Sequence, residues 1–184
     1  QFLAYLYQTN QHELADWVRE NVKFPSCMVD RITPRTTDAL RQEVEELFPG
    51  FGSTTVQTEE YTQWVIEDKF ASDFPDLTKV GVVITDDIEP YEETKIRILN
   101  GGHTSLAYLG ALSGYDTFDQ VMNDPTHRNH FKQLQKEEIA PSIDIELPFD
   151  IHDYIDTVEE RFSNATNLED RKSTRLNSSH AESY

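Results

Sequence analysis

A lysine, an asparagine and a histidine fall close together between Lys95 and His103, where the chain reads KIRILNGGH. On an α-helix at about 100° per residue, Lys95, His103 and Asn100 fall at roughly 0°, 80° and 140°, so the three can share one side of the element. An ammonium, an amide and an imidazole converging on one cavity suit the oxidation of an alcohol. A base removes the hydroxyl proton while donors steady the alkoxide as hydride leaves. Gly101 and Gly102 sit inside the same stretch. Each costs about 1 kcal/mol relative to alanine in a helix, a cost that makes sense where a ligand or another backbone comes close. Taken by themselves, the residue types favour a plainer alternative, a packed helix with Lys95 solvated and His103 merely hydrogen-bonded. His127 and His130, three apart, are the other pair that could meet on a helix face. No further ligand stands at a zinc-like spacing, and DPTHRNH reads better as a solvated helix start, so no metal is expected.

The secondary structure around these residues changes character along the chain. Phe2, Leu3, Leu6, Leu14, Trp17 and Val18 predict a helical opening, and a chain starting with Gln1 is expected to continue an upstream segment. MVDRITP reads as a short strand or extended edge that ends near Pro34. Thr36 or Thr37 caps a helix carrying Leu40, Val44, Leu47 and Phe48, with Pro49-Gly50 as its stop. WVIED at Trp64 to Asp68 and VGVVIT at Val80 to Thr85 are β-branched runs of strand length. After Pro90 helices dominate: Thr94 to about Leu112, Phe118 to Met122, Arg128 to Ile139, and Ile151 to Phe162. Asp86 to Pro90 is the expected handover between an α/β region and a mainly helical one.

Composition narrows the partners. The 184 residues carry 34 acidic against 16 basic side chains, a formal charge of -18, which argues against an electrostatic grip on nucleic acid or an anionic membrane. The acidic residues are scattered rather than blocked, as a solvated surface has them. No run approaches the roughly 20 apolar residues of a membrane span and no signal-peptide pattern opens the chain, so a cytoplasmic protein is expected. Cys27, the single cysteine, has no partner for a disulfide or a thiolate cluster and reads as a small semi-buried side chain. From Asp170 to His180 the chain reads DRKSTRLNSSH, which resembles the translation of a sequencing adapter, and residues 170–184 are set outside the fold as a non-native tail.

K-x-R-x-L-N-x-G-H resembles the signature of the mannitol dehydrogenase family, the long-chain polyol dehydrogenases that include fructuronate and tagaturonate reductases. FPSCMVDRITP at Phe24 to Pro34, YTQWVIEDKF at Tyr61 to Phe70, and YLGALSGY at Tyr108 to Tyr115 resemble further family segments in the family's order, and the likeness runs from Leu14 to Asn164. It implies the C-terminal part of a nucleotide-binding α/β domain over residues 1–85, followed by an incomplete helical substrate domain over 86–169, with the active site between them and no catalytic metal. Lys95 then corresponds to the general base, and Asn100 and His103 to groups that hydrogen-bond the reacting oxygen. Asp30 resembles a residue beside the substrate, and Val29 one that touches the nicotinamide ring of NAD, with NADP as the other possible cofactor.

The implied reaction is reversible, metal-independent oxidation of a mannitol-like sugar alcohol at a secondary carbon to a fructose-like ketose. A keto-uronate reductase is the alternative within the family, and a noncatalytic helical interaction module the alternative outside it. The sequence departs from the family at both ends. No G-x-G-x-x-G dinucleotide fingerprint occurs, so these residues alone are expected to be inactive. An upstream asparagine of the oxygen-binding set would lie in that same missing part. RFSN at Arg161 to Asn164 leads in the family toward a substrate-binding arginine and lysine that do not follow here, and Arg171, Lys172 and Arg175 are not their counterparts. Oligomeric state is not legible.

Overall fold

The structure, a computed structural model, describes residues 1–165. The adapter-like stretch, with Arg171, Lys172 and Arg175, lies outside them. Two compact units divide the described residues: Gln1–Val29 with Gln63–Ile88, and Asp30–Thr62 with 89–165.

In the first unit, helices α1 (Phe2–Gln8) and α2 (His12–Asn21) close on a small apolar core of Leu6, Ala15 and Val18. Asn10, in the left-handed region at φ 58°, makes the turn between them; asparagine tolerates that conformation better than most side chains. Strands β1 (Cys27–Asp30), β2 (Gln63–Glu67) and β3 (Val83–Thr85) form one sheet in the order β1-β2-β3. β2 and β3 run parallel, pairing Val65 with Val83 and Glu67 with Thr85. Parallel neighbours need a long connection, and residues 68–82 supply it. The expected strand at Val80 to Thr85 is shorter than its apolar run because Leu77–Val80 is a 3-10 turn and Gly81, at φ 86°, breaks the extended backbone. MVDRITP likewise pairs only as far as Asp30, the first residue of the second unit.

The second unit is helical. Helix α3 (Asp38–Leu47) starts where Thr37 Oγ1 accepts from the Leu40 amide at 3.2 Å. Helix α4 (Glu89–Thr94) runs into a π-helical turn at Lys95–Asn100 and then α5 (Gly101–Ser113), which Gly114 ends at φ 80°. α6 (Phe118–Asn123) follows, and α7 (Pro125–Gln133) is capped by Asp124, whose carboxylate accepts from the Thr126 amide at 2.8 Å. A second π turn, Leu134–Ile139, extends α7. α8 (Ile151–Ser163) is capped by Asp150. Ile98, Leu106, Met122, Phe131, Ile155 and Val158 are fully or almost fully buried and tie these helices into one core. Among the described residues no helix is long and apolar enough to cross a membrane.

Candidate active site

Lys95 opens the first π turn and is half-buried, Asn100 closes it and is exposed, and His103 lies in the first turn of α5 and is buried. The wider turn, bonded i to i+5, alters the expected angles, because the α-helical 100° step does not hold between Lys95 and Asn100. Such turns occur mostly singly inside α-helices and are frequent at functional sites. Lys95 and His103 stand at most roughly 12 Å apart along the axis, eight residues at the α-helical rise.

Each side chain has its own setting. The His103 ring lies 4.3 Å from the ring of Phe118 and 5.7 Å from that of Phe162, an aromatic enclosure for the imidazole. The backbone carbonyl of Asn100 accepts from Thr104 Oγ1 at 2.9 Å. Arg97, two residues from Lys95, pairs with Glu93 at 2.5 Å on the exposed side.

The two glycines differ. A Cβ at Gly101 would meet nothing nearer than the Ile96 carbonyl at 3.8 Å. One at Gly102 would overlap the Gln135 amide nitrogen and stand 2.8 Å from Phe131 Cε2. The close neighbour at Gly102 is therefore a protein side chain. Gln135 is wholly buried and its Nε2 donates to the Ile98 carbonyl at 3.1 Å. Its Oε1 has no hydrogen-bond partner among the described residues, a state that costs about 1–3 kcal/mol.

Asp30 is 1% exposed and enters a buried ionic cluster. Arg161 of α8 grips it with both terminal nitrogens, at 2.9 and 2.8 Å, and the Tyr154 hydroxyl donates to Oδ2 at 3.0 Å. Glu59 takes the other edge of the same guanidinium, 2.7 Å from Nη2, and also accepts from the Ile32 amide at 2.5 Å. The Tyr61 ring lies 4.0 Å beneath the guanidinium carbon. Arg31, the sequence neighbour of Asp30, instead donates to the Glu59 carbonyl at 2.9 Å. Two carboxylates thus share one guanidinium, and one of them, Glu59, also holds the Ile32 amide.

Ionisation follows from this packing. Burial opposes the charge on Arg161, but the hydrogen bonds of Asp30 and Glu59 outweigh it and hold the guanidinium protonated beyond its usual range. Burial, reinforced by the Asp30 charge, raises Tyr154 well above an ordinary phenol, so it remains a neutral donor. Glu59, Tyr154 and Arg161 escape sequence reading because Arg161 is 131 residues from Asp30 and nothing local pairs them. Val29, next to Asp30, is 53% exposed. His127 is engaged with Ser113 at 2.6 Å, and among the described residues no group of three or more His, Cys, Asp or Glu side chains is placed to hold a metal ion.

The chain matches two family models, the mannitol dehydrogenase Rossmann domain over residues 2–79 and the mannitol dehydrogenase C-terminal domain over residues 87–176. It is 40% identical over 167 residues to a mannitol 2-dehydrogenase of Phaeosphaeria nodorum, covering 89% of this chain and 29% of that protein. It is also 40% identical over 159 residues to a D-mannonate oxidoreductase of Escherichia coli, covering 86% and 33%. Among solved structures, Pseudomonas fluorescens mannitol 2-dehydrogenase in ternary complex with NAD and D-mannitol superposes with a TM-score of 0.78 at 39% identity, covering 94% of this chain and 35% of that one. A substrate-free D-sorbitol dehydrogenase gives 0.82 at 32% identity, covering 94% and 36%. The chain spans about a third of the length of the curated relatives it matches.

Proposed function

Because the chain belongs to the mannitol dehydrogenase family, we propose that it supplies the substrate side of a nicotinamide-dependent dehydrogenase that oxidises a mannitol-like sugar alcohol at a secondary carbon to the ketose. The observation that carries this reading is KIRILN laid along a π turn, Lys95 at its head, with GGH opening α5, in a chain 39% identical to a mannitol 2-dehydrogenase bound to NAD and D-mannitol. NAD, when bound, supplies the hydride acceptor. Val29, an exposed apolar side chain beside the buried Asp30, suits contact with the apolar face of a nicotinamide ring. Lys95 takes the hydroxyl proton as general base, and Asn100 and His103 hydrogen-bond the reacting oxygen. Asp30 lies beside the substrate, its carboxylate held in place by Arg161 and Tyr154. No catalytic metal is required.

In domain terms, residues 1–85 end the nucleotide-binding domain and 86–169 begin the helical substrate domain. The break between the two family models, after residue 79 and before residue 87, supports that division. The protein works in the cytoplasm.

A second reading has one observation in its favour: the D-mannonate oxidoreductase is as similar, at 40% identity, as the mannitol dehydrogenases. A keto-uronate would then be the reduced substrate. One assay separates the two. The complete protein, offered mannitol with NAD or NADP in one direction and fructose or fructuronate with the reduced cofactor in the other, is expected to prefer the mannitol–fructose pair in kcat/KM, with a rate insensitive to EDTA. Preference for fructuronate would select the second reading, and no turnover with any of them would reject both.

A further inference from the structure

We propose that Gln135 is a positioning residue for the Lys95 turn: its buried amide captures the Ile98 carbonyl and so keeps Lys95–Asn100 in π register. The inference rests on the reading of Lys95 as general base. Four observations lead to it. The carbonyl that Gln135 Nε2 meets, at 3.1 Å, lies within the π turn. Gln135 itself belongs to the second π turn, Leu134–Ile139, and the two π turns pack against each other. Gly102, part of the motif, leaves room for the amide, which a Cβ would displace. Gln135 is fully buried although its Oε1 finds no partner among the described residues.

The last point separates function from packing. A core shaped for stability alone would favour methionine, of nearly the same length and with no oxygen to strand. Glutamine at this position makes sense if the bond from its nitrogen to Ile98 matters. What that bond holds is rotational phase. A slip of one residue between π and α register turns the two sides of the helix relative to each other by about 100°. Lys95 lies on one side of Ile98, and Asn100 and His103 on the other. Losing the register would therefore separate the base from its companions without removing any of them.

The test compares the complete protein with its Gln135→Met and Gly102→Ala variants. In Gln135→Met, kcat for mannitol oxidation is expected to fall at least tenfold, KM for NAD to stay within twofold, and the thermal midpoint to hold or rise. Amide hydrogens of Lys95–Asn100 should exchange at least tenfold faster. Gly102→Ala, which leaves the amide present but displaced, should show the same loss of kcat and faster exchange. Unchanged kcat with unchanged exchange in Gln135→Met would overturn the proposal. Turnover by the unsubstituted protein decides the enzymatic reading separately, whereas the exchange rates decide the role of Gln135 whether or not turnover is found.

Discussion

At the scale of residues, the strongest commitment in the molecule is the ionic cluster around Arg161. A buried ion pair contributes little net stability over an apolar replacement, but removing one partner strands the others. Arg161→Met leaves two carboxylates, Asp30 and Glu59, buried without their cation. It is expected to cost about 3–5 kcal/mol, measured by urea unfolding. Tyr154→Phe removes only the hydroxyl bond to Asp30, and about 1–3 kcal/mol is expected. The pH dependence has a definite sign. Burial and then Asp30 raise the folded phenol of Tyr154 above its unfolded value near 10. Its contribution is therefore complete below that pH and lost as pH rises past it, since the unfolded chain ionises first. Stability should fall above about pH 10, and less steeply in Tyr154→Phe. An equally steep alkaline loss in that variant would exclude Tyr154 as its source. The family signature, more than chemical type, singles out Lys95, Asn100 and His103 in the sequence, whereas the partners of Asp30 stay hidden: its adjacent cation, Arg31, turns to the Glu59 carbonyl while a distant one grips the carboxylate.

The elements show why some structure is legible locally and some is not. Thr37 capping α3 and Asp150 capping α8 are local events, where a side-chain oxygen meets an amide two or three residues on. Gly114 ends α5 in the left-handed region at φ 80°, another local event. Gly114→Ala is expected to cost about 1–2 kcal/mol from backbone strain, read as a lower thermal midpoint with unchanged helix content. The π turns are a different matter. The helix expected from Thr94 to Leu112 exists, but an α and a π turn place the same residue types in the same order. What distinguishes them here is the contact from Gln135, 37 residues away from Ile98. Gly101 and Gly102 both read as places of close approach, but only a Cβ at Gly102 would crowd its surroundings, the side chains of Gln135 and Phe131.

For the whole molecule, the division into an α/β portion and a helical portion was visible in the change of periodicity near Pro90. The compact units cut the chain differently, because residues 30–62, including α3, group with the helices rather than with the sheet. The reason is chemical: Asp30 and Glu59 bond to Arg161, and Ile32 joins the core formed by α5 to α8. The scattered acidic excess, -18 in all, needs no partner to account for it.

Steady-state mannitol oxidation at neutral pH, compared between the complete protein and its Lys95→Ala variant, decides whether Lys95 is the general base that we propose. Loss of general-base catalysis predicts a fall in kcat of at least about a hundredfold, with the circular dichroism spectrum unchanged. Turnover by Lys95→Ala equal to that of the unsubstituted protein would contradict the assignment.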